Sequence, residues 1–574
     1  MLLLVLGIYF TRPTTLTIRG EESRWANVAR EMIETGDWVV PREQGVVFPN
    51  RPPLANWAIA CSMLLFGDSE SLAVRFPALL ATLLTTLLIY ACGRSFLDRF
   101  GALVAAAGYA TMGQVLQIGR HAESEPLFTL FTAASLLGWL SCYLRGRSPW
   151  ITWSVGYGMA ALAALTKGPQ GPIYFVASSW FYLLLYDRSY LIRRGHLLGM
   201  AVFAAIIGAW QLPYYLATDL AASIRIWGGE SANRFVVFDS AQAIAHAVKF
   251  SLEILNCTLP WSGLLLCFVD PRLRAQLGAM RPPVRFLTWS ILLCLLPLLF
   301  AQAARGRYFM PLYPSIALLC GVAAQAALAA QSGALAKRIW RGALGLSLVI
   351  PVAVTAYAAW QSSGWADRWP KLHNPAAAQS WLLVAAIAIC AIGMIRFCRR
   401  ALNGRGSVDT SRAAARAVCA AAMFYGFAFT SFGLNALDAY SYDNRADVRR
   451  AIAKIPAGEK LVSFNIVNHL FSYHLAGVDP RRVELVETPG VAAAAGTDWN
   501  YFCYTVAAEE LYALPLPFAW EQVDVVTIDR NRYDRPRAFV VVGRKLPPIG
   551  DESYKDATIV PPPLEAARPE PTRR

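Results

Sequence analysis

The chain has 574 residues, 56% of them hydrophobic and only 16% charged, and a formal net charge of +15. Soluble domains carry about a quarter charged residues, so this composition excludes an ordinary soluble enzyme. The positive surplus does not point to nucleic acid, because most of it lies in short loops between apolar runs, where membrane topology already accounts for it.

Apolar runs of about 20 residues, long enough to cross a bilayer as helices, recur through the first three quarters of the chain. Cysteines such as Cys92, Cys142, Cys267, Cys294, Cys320, Cys390 and Cys419 fall inside these runs, and no CxxC pair occurs. They read as small apolar helix residues, not as a disulfide or metal framework.

Met1 to Phe10 is apolar but too short to span alone, and Arg12-Pro13 follow at once. No basic residue precedes the run, which is unlike a cleaved signal. We read it as a first transmembrane helix; whether Met1 is the true start stays open. A polar stretch follows, and residues 12–72 read as a first external loop. Within it, Leu54 to Phe66 suits an interfacial helix better than a span. Further spans are expected near 73–93, 101–117, 126–144, 150–166, 171–186, 197–216, 251–269, 286–303, 308–330, 341–360, 377–396 and 414–433. With the first, that makes about 13.

Alternate loops are basic: Arg94 and Arg99; Arg145 and Arg147; Arg188, Arg193 and Arg194; Arg272, Arg274, Arg281 and Arg285; Lys337, Arg338 and Arg341; and a run from Arg396 to Arg416. The positive-inside rule places them in the cytoplasm of a plasma (inner) membrane. The other side receives the Glu21 loop, the Arg120 to Glu125 turn, Lys167-Gly-Pro, a loop near 217–250, Arg305 to Tyr308, and Trp360 to Pro375. Every unusual polar cluster falls on that side.

The membrane part is expected to end near residue 434. Residues 435–548 read as a small α/β domain on the extracytoplasmic, periplasmic side. It has an amphipathic helix near 446–455 and strand-like runs at Lys460 to Phe464, Trp499 to Thr505, Val523 to Thr527 and Ala538 to Val542. Residues 549–574, proline-rich and charged, read as disordered. The fold class is thus mostly α: a polytopic membrane protein with a small α/β C-terminal domain. No internal repeat is apparent in the membrane part, which weighs against a transporter.

Glu21 and Glu22 open a helix whose apolar positions Trp25, Val28, Ala29, Met32 and Ile33 recur at helical spacing. Carboxylates there also simply favour the helix's positive end. His121-Ala-Glu-Ser-Glu-Pro126 puts three titratable groups in five residues, although acids at a membrane mouth also serve as solvated caps. Lys167 ends a span, where a lysine also complements the helix dipole or snorkels. Arg305-Gly-Arg-Tyr308 places basic residues on the disfavoured side, and arginine grips phosphate in a bidentate way that lysine cannot. His469 and His474, five apart with no carboxylate motif beside them, do not read as a metal site. Nothing resembles Walker A, GxGxxG or GxSxG, so a soluble nucleotide is not the expected donor.

These residues resemble the polyprenyl-phosphate-dependent GT-C glycosyltransferases, above all the group that transfers aminoarabinose to lipid A, with protein O-mannosyltransferases as more distant relatives. In that family an Asp-Glu pair opens the first external loop, followed by Arg and an aromatic; Glu21-Glu22-Ser-Arg24-Trp25 fits that frame. Arg51-Pro-Pro-Leu-Ala-Asn-Trp57 is similar to the family's Lys-Pro-Pro-Leu with a nearby Trp, and Arg75-Phe-Pro77 to its Arg-Leu-Pro. Glu125-Pro126 stands where the family has Asp-Pro. Leu165-Thr-Lys-Gly168 fits unchanged, and Arg307-Tyr308-Phe-Met-Pro311-Leu-Tyr-Pro314 resembles its late Arg-Tyr-x-x-Pro-x-x-Pro. The resemblance covers roughly residues 1–330 by motif. It departs by glutamate for aspartate at 21 and 125 and by arginine for lysine at 51.

The resemblance implies inverting sugar transfer from a polyprenyl-phosphate donor, such as an undecaprenyl phosphate, to a lipid A-like glycolipid, a glycan or a protein in the cell envelope. Arg51, Lys167 and Arg307 are then expected to hold the donor phosphate, with Tyr308 hydrogen-bonding to it. Glu22, Arg24 and His121 are expected in the substrate-binding set. Glu21 is the first choice as base and Glu125 the second. No metal or other cofactor is expected, and membrane lipids are the surroundings. The competing readings are a lipid-linked saccharide transporter or flippase and a non-catalytic envelope-assembly subunit.

Overall fold

A chain in lipid must satisfy its backbone N–H and C=O groups internally, and a helix does so within one segment. Helices accordingly dominate. The computed structural model describes residues 2–546 except 68–70, 233–239, 302–303, 330–332, 364, 366–367, 369–380, 404–407, 440–442, 480–482, 487–498, 508–515, 517 and 531–535. The tail at 549–574 and parts of the expected outer loops near 217–250 and 360–375 therefore lie outside the described residues.

The described residues form two compact units. The first takes the described residues within 1–17, 32–41 and 47–439; the second takes those within 18–31, 42–46 and 440–546. The stretch expected as a first external loop is thus divided between them.

Among the described residues of the first unit, eight helices are long and apolar enough to cross a membrane: Ser71–Gly93, Ser124–Leu144, Arg194–Ala217, Gly278–Leu299, Gly306–Leu328, Ala334–Gln361, Trp381–Asn403 and Ser411–Gly433. A ninth is reached if Gln242–Thr258 and Trp261–Val269, bent by 113° at the break, count as one span. The expected count of about 13 is not reached by this measure, for identifiable reasons. Leu2–Tyr9 has 8 residues and Gln170–Tyr186 has 17. The run at 101–117 breaks at Thr111 and Met112 into Arg99–Ala110 and Gly113–Ile118. Pro149–Lys167 mixes glycine, serine, tyrosine and tryptophan into its apolar sequence. Leu54–Phe66 is a 13-residue apolar helix, the length expected of an interfacial one.

Small residues let two helices pack closely. A side chain on Gly321 would run into the Gly101 carbonyl oxygen. The two glycines let Arg99–Ala110 and Tyr313–Leu328 approach backbone to backbone, as small residues do in membrane helices.

Two buried arginines tie the chain's start to this bundle. Arg75, inside Ser71–Gly93, donates from Nη1 to the carbonyls of Leu16 (2.7 Å) and Pro13 (3.3 Å) and from Nη2 to that of Thr17 (2.9 Å). Arg120 donates to the carbonyls of Ile8 and Thr11 and to Thr430 Oγ1, and lies 5.2 Å from the Tyr9 ring centroid.

The second unit contains a five-stranded sheet: β1 (Leu461–Ser463), β2 (Val483–Leu485), β3 (Tyr501–Ala507), β4 (Trp520–Arg530) and β5 (Pro536–Lys545), in the order β2-β1-β3-β5-β4. β1 pairs in parallel with β2 and β3, while β5 pairs antiparallel with β3 and β4. β2 was absent from the sequence reading; its three residues follow two arginines and alternate too briefly to signal a strand. Helices Arg445–Ala453 and His469–Ala476 contribute Val448, Ile452 and Phe471 to a core with Leu461, Cys503, Val540 and Val542.

Replacing Arg75 with methionine removes the donors for one buried and two part-buried carbonyls while keeping most of the side-chain volume. Hydrogen bonds to a charged group contribute about 1.5–3 kcal/mol each. Arg75→Met should therefore destabilise the protein by at least about 3 kcal/mol, read as a lower Tm in detergent, with Arg75→Lys recovering only part.

Candidate active site

Four elements of the first unit bring charged side chains to one place. The first is the residue before two prolines. Arg51 is buried there, ahead of helix Leu54–Phe66, and its Nη1 donates to Ser124 Oγ. The second is the start of helix Ser124–Ala133, where Glu125 lies in the first turn and is 1% exposed. Orphan N–H groups and the helix dipole favour a carboxylate at that end. The third is the end of helix Pro149–Lys167, closed by Gly168 at φ 88°. The fourth is the turn at Gly306–Leu312, which carries Arg307 and Tyr308.

Glu125 is the hub. Its Oε1 accepts from Lys167 Nζ at 2.7 Å and lies 3.8 Å from Arg307 Nε; its Oε2 accepts from Ser124 Oγ at 3.4 Å. Arg307 Nη1 also pairs with Glu123 Oε1 at 3.1 Å. Lys167 Nζ is 4.9 Å from the Tyr308 ring centroid and 5.7 Å from that of Phe128, within cation–π range. Arg307 Cζ is 5.6 Å from the Tyr308 centroid. Three cations, Arg51, Lys167 and Arg307, thus surround two carboxylates, Glu123 and Glu125. These five groups carry one net positive charge.

The Arg307 turn has its own support. Glu253, on the broken span, accepts from Gly306 N at 2.8 Å, and Tyr313 Oη donates to Gln114 Oε1 at 2.6 Å. Glu253 was missed in the sequence reading. Its signal was available: a lone carboxylate inside an apolar run marks a polar task. Ser124 and Glu123 were seen only as members of the 121–126 cluster, because a pairing partner 73 or 184 residues away leaves no local pattern. His121 is buried two residues before Glu123.

Glu21, Glu22 and Arg24 belong to the second unit, whereas Arg51, Glu125, Lys167, Arg307 and Tyr308 belong to the first. Gly20, at φ 53°, precedes helix Glu21–Thr35, and Gly36, at φ 72°, ends it. Glu22 is buried and its Oε2 accepts from Arg19 N at 3.4 Å, which ties down the helix start. Glu21 is 41% exposed in its side chain and pairs with Arg24 Nη1 at 2.8 Å. Arg24 Nη2 lies 3.3 Å from His469 Nδ1. Burial and the neighbouring Arg24 push His469 down to about 4, so it is neutral at pH 7. Its Nδ1 then accepts from Arg24 and its Nε2 carries the proton. Asn27 Nδ2 donates to the His469 carbonyl at 2.8 Å, and Arg30 lies over the Tyr473 ring at 5.3 Å. Among the described residues no group of three or more His, Cys, Asp or Glu side chains converges. Glu43, also in this unit, is buried, and its Oε2 is 3.7 Å from Arg24 Nε.

Residues 50–211, which include Arg51, Glu125 and Lys167, match the model of the dolichyl-phosphate-mannose-protein mannosyltransferase family. Among curated proteins, the chain is 30% identical over 376 residues to the undecaprenyl phosphate-alpha-4-amino-4-deoxy-L-arabinose arabinosyl transferase of Pseudomonas paraeruginosa, covering 62% of this chain and 65% of that protein. It is 31% identical over 314 residues to the transferase of the same name from Aeromonas salmonicida, covering 53% and 55%. The chain thus spans somewhat under two thirds of the length of these relatives. Among solved structures, ArnT from Cupriavidus metallidurans bound to undecaprenyl phosphate superposes with a TM-score of 0.69 at 18% identity, covering 94% of this chain and 96% of that one. The resemblance read from the motifs is borne out by these matches, and the chain has the fold of that transferase.

Two stability measurements test the charge network. Removing one partner of a buried ion pair costs about 3–5 kcal/mol, because the other charge loses its nearest counter-ion in low dielectric. Lys167→Met should lower the Tm strongly, and Glu125→Gln added to it should recover much of the loss. Glu43 supplies the second test. Burial, with help from Glu21 and Glu31 and against Arg24, raises its carboxyl from 4.5 to about 7. An acid raised on folding contributes stability that is complete below about 4.5 and is lost as pH climbs to about 7. The loss is roughly 3 kcal/mol. Glu43→Gln should flatten the fall in stability between pH 5 and pH 8.

Proposed function

We propose that the chain is an integral-membrane glycosyltransferase that moves a sugar from a polyprenyl-phosphate donor to an extracytoplasmic acceptor, with inversion at the anomeric carbon. The observation that carries this reading is the convergence of Arg51, Lys167 and Arg307 on a buried site with Tyr308. The curated relatives, named for an undecaprenyl-phosphate-linked sugar, support it.

The chemistry asks for two things. An acceptor oxygen attacks the anomeric carbon while the bond from that carbon to the phosphate oxygen breaks, leaving polyprenyl phosphate. Negative charge grows on the leaving phosphate, so preorganised cations there stabilise the transition state. Arg51, Lys167 and Arg307 take that task, with no metal written into the step. If the acceptor is a hydroxyl, its proton must go to a base.

Glu125 is poorly placed for that proton, since Lys167 and Arg307 engage one of its oxygens and Ser124 the other. It suits the task of holding the cations in register. Glu21 remains our choice as base, because its partly exposed carboxylate meets one guanidinium nitrogen of Arg24. The basic alternate loops support an outward-facing site. The acceptor class, whether glycolipid, glycan or protein, is read from lipid and glycan mass spectrometry of cells with and without the protein.

Glu21→Gln should insert, fold and bind undecaprenyl phosphate yet lose about 100- to 10,000-fold in transfer, while Glu21→Asp keeps part of it. Transfer at wild-type rate by Glu21→Gln would remove Glu21 from the base role. Arg51→Ala should weaken undecaprenyl phosphate binding without comparable loss of folding. Unchanged binding in Arg51→Ala, Lys167→Met and Arg307→Ala alike would overturn the phosphate assignment and favour a transporter or scaffold. A C-terminal alkaline phosphatase fusion should be active; activity from a cytoplasmic reporter at that position would reverse the orientation.

A further inference from the structure

Arg24 stands between two carboxylates. Its Nη1 donates to Glu21 at 2.8 Å, its Nη2 meets neutral His469 at 3.3 Å, and its Nε faces Glu43 Oε2 at 3.7 Å. That last distance is an ion-pair contact but too long for a hydrogen bond. Arg24 Nε, although buried, makes no hydrogen bond among the described residues. Glu43 itself is buried beside a loop anchored on both sides. Gly45 N donates to Glu31 Oε1 at 2.8 Å, and Val467 N donates to Gln44 Oε1 at 2.8 Å. Glu43 is therefore held at Arg24 by its backbone, with a small gap left to close.

We propose that Glu43 is a positioning residue for Glu21, acting through Arg24: when ionised it draws the guanidinium toward itself and loosens its hold on Glu21 Oε2, the oxygen that Arg24 now engages, so that this oxygen can take the acceptor's hydroxyl. This rests on the reading of Glu21 as the base. A carboxylate oxygen already committed to a guanidinium has less capacity for a second donor. With Glu43 neutral, Arg24 is pulled only by Glu21. With Glu43 ionised, its charge is shared between two acids.

The charged groups facing Glu43 are Arg24, Glu21 and Glu31, all on helix Glu21–Thr35; His469, at the far end of Arg24, is neutral at working pH. Burial places the Glu43 titration near 7, so the device works in the physiological range. The resemblance gives no role to this position, and neither histidine nor a metal is needed for it.

The test is the pH profile of sugar transfer by full-length protein in detergent. Native membrane extract of the producing cells serves as the source of donor and acceptor, and release of undecaprenyl phosphate is read by mass spectrometry. In wild type the maximal rate should rise about tenfold as pH passes through 7, in the direction of Glu43 ionisation. Glu43→Gln should lose that inflection and stay at the low rate, equal to wild type at pH 6 and about tenfold slower at pH 8. The half-saturating amount of extract should not change, because the phosphate is held elsewhere. Glu43→Asp should restore the inflection. A Glu43→Gln protein that folds, by its Tm at pH 6 and pH 8, and follows the wild-type profile overturns the proposal. The Glu21→Gln protein run in parallel separates the two ideas. If it transfers at wild-type rate, the base assignment fails and takes this inference with it. If it is inactive while Glu43→Gln keeps the wild-type profile, only the inference fails.

Discussion

Charge taken out of water must be neutralised where it lies, and the pair formed by Glu125 and Lys167 shows that constraint at its most severe. Both side chains are almost wholly buried and 2.7 Å apart. Neither is tolerable alone at that depth. The pair fixes the end of one helix against the start of another, and Arg307, Glu123, Ser124 and Arg51 arrange themselves around it. A buried ion pair is a poor source of stability compared with apolar residues of the same volume. Its persistence here makes sense if the site is shaped for a charged substrate and not for folding.

The same electrostatic reasoning divides the carboxylates by task. Glu125 is saturated by cations, Glu22 is committed to its own helix start, and Glu253 holds the turn that presents Arg307. Glu21 keeps an exposed face. Position in the sequence treats Glu21 and Glu22 as one motif, yet their surroundings give one a structural duty and leave the other available.

What could be read from the sequence follows from how local each signal is. The long apolar runs, the amphipathic helix after Gly20 and the cluster at 121–126 are visible because their cause lies within a few residues. The pairings of Arg51 with Ser124 and of Arg307 with Glu123 join distant segments, so each residue could be suspected but its partner could not. The expected spans depart from the count of long, apolar helices where hydropathy ignores geometry. A run broken at Thr111 or bent at Pro260 is as apolar as a straight helix. Glu43 was not singled out because nothing in Pro41-Arg-Glu-Gln-Gly45 says that the glutamate is buried.

The capture of the Pro13, Leu16 and Thr17 carbonyls by Arg75 also has a meaning in time. The acceptors leave the ribosome 59 residues ahead of their donor in the case of Leu16. At a synthesis rate of about 5–20 residues per second, those carbonyls wait several seconds with no permanent partner. During that interval they must remain in contact with water or with the insertion machinery. The helix bearing Arg75 then brings the donors that those carbonyls lack until it is made.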